Sequence, residues 1–377
     1  MRIPLSAPDI TEPEIEAVSA VLRTPHLSLG PKLDEFEAAV AAFTQVPHAI
    51  AVSSGTAGLH LAVRALNIGE GDEVIVPSFT FIAAANAIRY ERATPVFADI
   101  DRDSLNLCPD AVARAITPRT RALLVVHTFG RPADMNPLLA LARRHNLAII
   151  EDACEAIGAA YDGRPAGSFG DVAVFAFYPN KQITTGEGGM VVTRDSRLAA
   201  TIRSLRNQGR RSSESDAWLQ HTDLGFNYRL SDIACTLGIG QLARLREILA
   251  RREHIARLYH QQLAAEPGLI LPALELPDLP NARTSWFVYV VRLQPHFTEA
   301  DRDAVVQHLH DAGIACGRYF APIHLQRAYT EYRHAAHLPI TESEAARTLA
   351  LPFFNRLTES QIAEVANTLK AAIARRP

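Results

Sequence analysis

Between residues 48 and 177 the chain repeats one pattern, in which a short apolar strand is followed by a stretch with helical periodicity. Leu59, Val63 and Leu66 show this helical spacing after the first strand. Such alternation is typical of a mostly parallel sheet covered by helices on both faces. We therefore predict an α/β protein with strands at Ala49–Val52, Val74–Pro77, Pro95–Ala98, Ala122–His127, Leu147–Glu151 and Val172–Phe177. Ligands bind beyond the carboxyl ends of the strands in such sheets, so functional residues are expected there.

The pattern changes near residue 245. Ser231-Asp232 predicts the cap of a long helical run that continues toward Leu258. Strands are then predicted at Trp286–Val291 and Ile314–Phe320, with helices at about 298–311 and 359–374. A chain of 377 residues is long enough for two domains. We predict a large domain over residues 1–244 and a smaller C-terminal α+β domain over residues 245–377.

Composition argues against several classes of protein. The net charge is −3 and the basic residues are scattered, so no nucleic-acid surface is predicted. The four cysteines form no C-x-x-C and the histidines show no metal-ligand spacing, so neither a disulfide framework nor a metal site is expected. No apolar run reaches membrane-spanning length and the N-terminus lacks a signal-peptide core, so we expect a cytoplasmic protein. Dinucleotide and Walker motifs do not occur.

The loop after the last predicted strand contains an unusual lysine. Only three of the 38 basic Lys and Arg residues are lysines, and one of them, Lys181, lies in this loop. Arginine stays protonated, whereas a lysine amine can lose its proton and form a Schiff base. Pro179 ends the strand, and the glycines over residues 186–189 allow a bulky ligand to approach the backbone. The alternative is an ordinary surface lysine.

Three other strand ends carry groups that a cofactor can use. Ser53-Ser-Gly-Thr56 precedes a helix, where free N–H groups and hydroxyls form an anion site, although ordinary N-capping uses the same residues. Asp152 can hold a cationic ring nitrogen, or else cap the turn over Ala153–Ile157. An aromatic ring of Pro77-Ser-Phe-Thr-Phe81 can stack on a planar ligand or belong to the core. With a lysine for an aldehyde, these groups meet the requirements of pyridoxal phosphate (PLP).

These segments, in this order, resemble the PLP-dependent nucleotide-sugar aminotransferases of the DegT–DnrJ–StrS type, within the fold-type I aminotransferases. The matching segments are Pro4-Leu-Ser-Ala-Pro-Asp-Ile10, Ser54-Gly-Thr-Ala57, Gly71-Asp-Glu-Val-Ile-Val-Pro-Ser-Phe-Thr-Phe81, Glu151-Asp-Ala153, Asn180-Lys-Gln182, Gly186-Glu-Gly-Gly189 and Gly225-Phe-Asn-Tyr-Arg-Leu-Ser231. The resemblance covers nearly the whole chain. It implies a large PLP-binding α/β/α domain and a smaller C-terminal α+β domain.

The resemblance also implies a role for individual residues around the cofactor. Lys181 is implied to form the Schiff base and to move the proton, and Asp152 to hold the pyridine nitrogen. Phe81 is implied to stack on the ring. Gly55 and Thr56 match the pair that binds the phosphate.

A second set of residues is expected at the subunit interface and around the substrate. Asn227 matches a residue that the neighbouring subunit supplies to the phosphate, which implies a homodimer with shared active sites. Candidates for the substrate cleft at that interface are Arg229, Arg318, Tyr319 and His324.

The chain departs from the family pattern at two positions. Ala176 stands where many members carry a serine that reaches the phosphate, so Thr56, Asn227 and the serines at 53 and 54 are left for that task. Glu155 stands where many members carry a glutamine near the phenolic oxygen of the cofactor. A carboxylate there would repel a phenolate unless it is protonated or turned away.

The function expected from this sequence is transamination in amino-sugar or polysaccharide biosynthesis. The amino group of L-glutamate would pass through pyridoxamine phosphate to a nucleotide-linked keto-sugar. Two alternatives are a PLP-dependent sugar dehydratase and a PLP-binding regulatory protein without turnover. The known dehydratases carry histidine in place of the lysine, so Lys181 argues against the first. The intact set of Lys181, Asp152 and Phe81 argues against the second.

Overall fold

A seven-stranded sheet lies at the centre of the computed structural model, which describes residues 1–210, 220–277, 279, 281–332 and 336–375. The strands are β1 (His48–Val52), β2 (Glu73–Pro77), β3 (Thr94–Ala98), β4 (Thr120–Val126), β5 (Ala148–Asp152), β6 (Ala160–Tyr161), β7 (Arg164–Pro165), β8 (Val172–Ala176), β9 (Gly189–Thr193), β10 (Leu269–Ile270), β11 (Tyr289–Leu293) and β12 (Thr348–Leu351). The helices are α1 (Glu12–Val21), α2 (Pro31–Thr44), α3 (Gly55–Ala65), α4 (Ala83–Tyr90), α5 (Pro109–Ala115), α6 (Met135–His145), α7 (Ser196–Arg206), α8 (Asp232–Ala243), α9 (Leu245–Leu263), α10 (Glu299–Asp311), α11 (Pro339–Ala345) and α12 (Glu359–Ile373). None of the described helices is long and apolar enough to cross a bilayer.

The central sheet is mostly parallel, as predicted. Its strand order is β1-β9-β8-β5-β4-β2-β3, and only β9 runs antiparallel to its neighbours. All six predicted strands are present in this sheet. The seventh, β9, was not predicted, because it follows β8 after a glycine-rich loop with no helix between them and so falls outside the strand–helix alternation.

Successive side chains of each strand enter different cores because they point to opposite faces of the sheet. In β8, Val172 and Val174 pack with residues of α3, whereas Ala173 and Phe175 pack with residues of α2 and α8. Helices α5 and α6 cover the rest of this second face. The sheet is therefore the middle layer of an α/β/α sandwich, and its parallel strands end at a common edge.

A second core forms around a smaller antiparallel sheet of order β10-β11-β12. Residues of α9, α10 and α12 pack on it. Ile3, from the N-terminus, is fully buried in the same core and pairs with Ile314. In α9, Leu245 and Ile248 pack in a core of the large sheet, and Ile255 packs in this second core. The boundary between residues 244 and 245 stays a prediction.

Three expectations for the C-terminal half need correction. The strand predicted over Ile314–Phe320 is wrong, because this segment makes only single bridges, Ile314 to Ile3 and Gly317 to Ala350. The strand predicted over Trp286–Val291 begins later, at Tyr289, because Trp286 has a positive φ of 52°. The single helical run after Ser231 is two helices, α8 and α9, with Arg244 between them.

Candidate active site

A cavity of about 600 Å³ opens at the carboxyl ends of β4, β5 and β8. This is the edge at which a sheet of this kind binds ligands, and the volume suits a cofactor with a substrate. Eight of the eleven predicted site residues line it: Gly55, Thr56, Phe81, Asp152, Glu155, Lys181, Arg318 and Tyr319. Folding therefore brings together residues that are separated by more than half of the chain.

Lys181 lies in the loop between β8 and β9. Its backbone N–H donates to the carbonyl oxygen of Tyr178 at 2.9 Å. The side chain is 13% exposed, with Nζ 3.5 Å from Oε1 of Glu155 and 4.0 Å from the centre of the Phe287 ring. A surface lysine would be mostly exposed, so this alternative is wrong. The amine faces the cavity, where an aldehyde can reach it.

The adjacent acids Glu151 and Asp152 have different surroundings because they point to opposite faces of β5. Glu151 is fully buried, pairs with Nε2 of His127 at 2.9 Å and accepts three backbone N–H groups between residues 167 and 170 at 2.6–2.8 Å. Burial favours its protonated form, but the hydrogen bonds with His127 and the backbone hold the pKa of Glu151 below its usual value. Glu151 therefore stabilises the fold and takes no part in the cavity.

Asp152 faces the cavity. Its Oδ1 accepts the N–H of Cys154 at 3.1 Å, so the residue also caps the turn that follows, as the alternative interpretation expected. Burial raises the pKa of Asp152, although the bonds with Cys154 and the charge of Lys181 act in the opposite direction. A cationic ring nitrogen beside Asp152 would favour the carboxylate, because an opposite charge offsets the cost of burial.

Glu155 lies between the backbone and the lysine. Its Oε2 accepts the N–H of Phe129 at 2.9 Å, and its Oε1 is 3.5 Å from Nζ of Lys181. The side chain is therefore not turned away from the cavity. Burial raises the pKa of Glu155, against the attraction of Lys181. Burial thus favours the neutral form, which would not repel a phenolate.

The start of α3 forms one end of the cavity. Ser54 Oγ caps the helix by accepting a backbone N–H at 3.0 Å, and the helix offers no partner for the N–H groups of Gly55 and Thr56. A Cβ on Gly55 would lie 2.7 Å from Cβ of Ala176 and 2.9 Å from Sγ of Cys154. Glycine thus lets the helix approach β8 closely. N–H groups at the positive end of a helix suit a phosphate.

Aromatic rings form another wall. Phe81 lies at the mouth of the cavity and is 63% exposed, so one face can meet a ligand. The rings of Phe287 and Tyr319 are nearly parallel with centres 6.5 Å apart, and those of Tyr319 and Phe320 are 5.1 Å apart. The rings of Phe287, Tyr319 and Phe320 therefore form a stack of nearly parallel planes beside the cavity.

Among the cavity residues to which sequence reasoning gave no role, Phe287 and Asn180 lie close to groups that matter for binding. Phe287 comes from a distant segment that was predicted to be a strand, and no local pattern indicates its contact with Lys181. Asn180 was noted only as part of a matching segment. Its Oδ1 is a buried oxygen that finds no hydrogen-bond partner within the described ranges, and it can accept a bond from a ligand.

Two predicted residues, Asn227 and Arg229, lie outside this cavity. Asn227 is exposed and makes a single backbone bridge with Asn207. Arg229 donates to Oδ1 of Asn207 at 3.0 Å and lines a neighbouring cavity of about 450 Å³. Glu187 lines both cavities, so the two are adjacent.

His324 also lies outside the cavity, because it is fully buried behind it. Its Nδ1 is 2.7 Å from Ser78 Oγ, and its Nε2 is 3.2 Å from Oε1 of Glu342. Its backbone N–H donates to the same Ser78 Oγ at 3.1 Å. In this position His324 joins the end of β2 to the segment that carries Tyr319.

The residues of the cavity fit pyridoxal phosphate. This cofactor presents an aldehyde, a ring nitrogen that works in its cationic form, and a phosphate. One cavity offers an amine on Lys181, a carboxyl group on Asp152, and the N–H groups at the start of α3. The close approach of α3 to β8, which a side chain on Gly55 would prevent, shapes the phosphate end.

Comparisons with known proteins agree with this site. The profile of the DegT/DnrJ/EryC1/StrS aminotransferase family matches residues 8–370. The chain is similar to the aminotransferase TlmJ from Streptoalloteichus hindustanus, with 36% identity, 99% of each chain covered and a TM-score of 0.92. It is also similar to DesV of S. venezuelae, with 39% identity, 100% of each chain covered and a TM-score of 0.90.

A third similar structure bears on the cofactor. Spr1654 from Streptococcus pneumoniae, a proposed sugar aminotransferase, shares 28% identity with this chain and has a TM-score of 0.91. The match covers 100% of this chain and 99% of Spr1654. Its structure is known in a PLP form and in a PMP form.

The family profile spans nearly the whole chain, and the fold is that of the fold-type I aminotransferases. The cofactor is pyridoxal phosphate, and the reaction class is transamination. The chain belongs to the DegT/DnrJ/EryC1/StrS aminotransferase family.

Proposed function

We propose that this enzyme transfers the amino group of L-glutamate to the ketone of a nucleotide-linked keto-sugar, as a step in making an amino sugar. The observation that carries the proposal is the scarcity of basic groups in the cavity. Among the residues that the structure describes, Lys181 and Arg318 are the only basic ones that line it, and Arg318 is already paired with Asp303 at 3.0 Å. An enzyme acting between two amino acids must hold an α-carboxylate in both half-reactions, usually with arginine. A keto-sugar acceptor has no α-carboxylate, so an enzyme that uses one must hold an α-carboxylate only in the donor half-reaction.

The shape of the site also supports a long acceptor. The second cavity, which Arg229 lines, lies beside the cavity at Lys181 and shares Glu187 with it. A sugar ring at Lys181 would have its diphosphate and nucleobase in this direction. We propose that Arg229 contacts that part of the substrate and that Tyr319, in the aromatic wall, contacts the sugar.

Each residue around the cofactor is proposed to have a separate role in the reaction. When bound, pyridoxal phosphate supplies a carbonyl that takes up the amino group and a cationic ring that withdraws electrons from the reacting carbon. Asp152 would hold the proton on the ring nitrogen, and the N–H groups of Gly55 and Thr56 would hold the phosphate. The Nζ of Lys181 would carry the proton between reacting atoms as a general acid and base. Phe81 would cover one face of the ring.

We include a homodimer with shared active sites in the proposal. Apolar side chains on and just after α1 are exposed, namely Ile15, Leu22, Leu27 and Leu29. The adjacent second cavity is lined by the apolar Val18, Ile233 and Leu237. Exposed apolar patches of this kind mark protein interfaces. Asn227 is exposed and lies outside its own cavity, which supports a role for it in the cavity of a partner.

A single-turnover assay tests the substrate class. The enzyme is first converted to its pyridoxamine form with glutamate, which is then removed. UDP-, dTDP- and GDP-linked keto-sugars are compared with oxaloacetate, pyruvate and branched-chain keto acids as acceptors. We expect a keto-sugar to restore the PLP absorbance far faster than any keto acid. Rapid turnover of an ordinary keto acid, with no response to any sugar nucleotide, would refute the sugar assignment and leave transamination standing.

A further inference from the structure

Arg252 is a buried arginine close to the active site, on α9 and outside the cavity lining. Its side chain is 3% exposed, and no carboxylate lies within ion-pair distance of it in the described part of the chain. Burial lowers the pKa of Arg252 to about 10, so the group is still a cation at neutral pH. A buried cation without a carboxylate partner is costly for stability. The question is therefore which groups this buried cation acts on.

The contacts of Arg252 identify these groups. Its Nη1 donates to the carbonyl oxygens of Trp286 at 3.1 Å and Phe287 at 3.0 Å, and its Nη2 donates to the carbonyl oxygen of Lys181 at 3.2 Å. One guanidinium thus binds the backbone of the lysine and the backbone of the ring that faces it. Only the planar fork of arginine has donors spread widely enough to do this.

Gln182, the next residue of the lysine loop, also binds the segment that contains Phe287. Nε2 of Gln182 donates to Ser285 Oγ at 2.9 Å and to the carbonyl oxygen of Glu155 at 2.6 Å. The segment at 285–287 is therefore joined to the lysine loop at two points. Nζ of Lys181 lies 4.0 Å from the centre of the Phe287 ring and 3.5 Å from Oε1 of Glu155.

We infer that Arg252 is a positioning residue, which fixes the Lys181 amine and the Phe287 ring relative to each other so that the amine meets the cofactor aldehyde in a reactive geometry. The inference rests on the proposed role of Lys181. In the step affected, Nζ attacks the aldehyde carbon, a C=N bond forms and one water molecule leaves. Geometry matters here because misplacement of a reacting group by about 1 Å can lower a rate about 100-fold.

The test measures how fast Lys181 binds the aldehyde of pyridoxal phosphate covalently, here called capture. This step needs no sugar substrate. Apoenzyme is mixed with pyridoxal phosphate, the absorbance change is followed by stopped flow, and borohydride with peptide mass spectrometry locates the label. The variants are Arg252→Lys and Arg252→Ala, the latter also with added guanidinium ion. Arg257→Met is the matched control, because Arg257 lies on the same helix but pairs only with Glu253 and Glu275 at the surface.

We expect capture to be roughly 10- to 100-fold slower in both Arg252 variants, with the label still on Lys181. Guanidinium should restore part of the rate in Arg252→Ala, and Arg257→Met should match the wild type. Capture at the wild-type rate by Arg252→Lys would overturn the inference. Failure of both Arg252 variants to fold, while the control folds, would also overturn it, since a structural role would then explain the residue. Label on Lys32 or Lys370 in the wild type would instead refute the proposed role of Lys181.

Discussion

The carboxyl group of Asp152 is buried at the end of β5 and faces the cavity that holds Nζ of Lys181. Asp152→Asn keeps the size of the side chain and removes the charge that would hold a proton on the ring nitrogen. We expect the single-turnover rate with glutamate to fall about 10²- to 10⁴-fold, the range for general-acid and electrostatic contributions. Stopped-flow absorbance measures the rate, and the exposed Asp110→Asn is the control. A near-wild-type rate would show that another acid serves the ring nitrogen.

Glu155 predicts a dependence of stability on pH. Burial raises its pKa above the ordinary value of 4.5, so the folded chain holds this proton more tightly than the unfolded chain does. The stability that comes from the protonated form is therefore present at acid pH and is lost as the pH rises through the raised pKa. Glu155→Gln stays neutral at every pH, so the Tm of the variant apoenzyme should rise relative to the Tm of the wild type as the pH increases above 4.5.

Thermal unfolding of both apoenzymes across this range checks the prediction. Glu70→Gln is the control, because that side chain is 79% exposed. Its Tm should follow the wild type at every pH. Parallel curves for Glu155→Gln and the wild type would mean that Glu155 ionises as freely in the folded chain as in the unfolded one.

Residues next to strand ends could be predicted from the sequence, and residues from remote segments could not. Lys181 and Asp152 each follow an apolar strand, and the scarcity of lysine in this chain draws attention to the first. Phe287 and Arg252 reach the same place only because α9 and the chain after it pack against the lysine loop. No local pattern carries that information.

Among the elements, α3 is one whose position depends on single glycines. A Cβ on Gly189 would lie 2.7 Å from the carbonyl carbon and oxygen of Ser54, and a Cβ on Gly55 would lie 2.7 Å from Cβ of Ala176. Gly55→Ala should therefore push the helix start away from β8. We expect a loss of about 1–3 kcal/mol in the free energy of unfolding, as for other overpacked sites, and weaker binding of pyridoxal phosphate.

Denaturant unfolding and a cofactor titration test this change. The double variant Gly55→Ala with Ala176→Gly removes the methyl group that is struck, so it should recover part of the stability and part of the affinity. Leu66, at the other end of α3, is far from the clash, and Leu66→Met should change neither quantity much. Equal stability of Gly55→Ala and the wild type would show that the helix tolerates a side chain at this point.

The sequence predicts well those elements that follow from the alternation of short apolar runs with stretches of helical periodicity. The six parallel strands follow from short apolar runs separated by helical periods. The segment over Ile314–Phe320 has the composition of a strand, but its backbone pairs only at single points, with Ile3 and Ala350. Pairing partners so distant in the chain decide whether a segment becomes a strand, and its own sequence does not reveal them.

For the whole molecule, the sequence predicts the α/β/α architecture but not how the cavity is closed. The lining from Phe287 and from residues 318–320 belongs to chain that follows α9. His324 attaches that chain to the end of β2 through Ser78, which explains why a residue proposed for the substrate is buried behind the cavity. The open side of the cavity, toward Arg229 and the exposed apolar residues of α1, is the side on which we place the second subunit.

The dimer proposal predicts that two inactive variants can restore one another. In a heterodimer of Lys181→Ala and Asn227→Ala subunits, one site combines an intact Lys181 with the intact Asn227 of the partner subunit. The other site lacks both residues. An isolated heterodimer has one of its two sites intact, so its activity should return to about half of the wild-type value.

The control is a heterodimer in which both substituted residues belong to the active site of their own subunit. Lys181 and Asp152 line the same cavity within one chain. A heterodimer of Lys181→Ala and Asp152→Ala subunits therefore contains no intact site and should remain inactive. The subunits are co-expressed with two different tags, heterodimers are isolated on both, and single-turnover rates with glutamate are compared. If the first heterodimer is as inactive as the second, Asn227 acts within its own subunit or only in the fold, since both preparations then contain the same proven assembly.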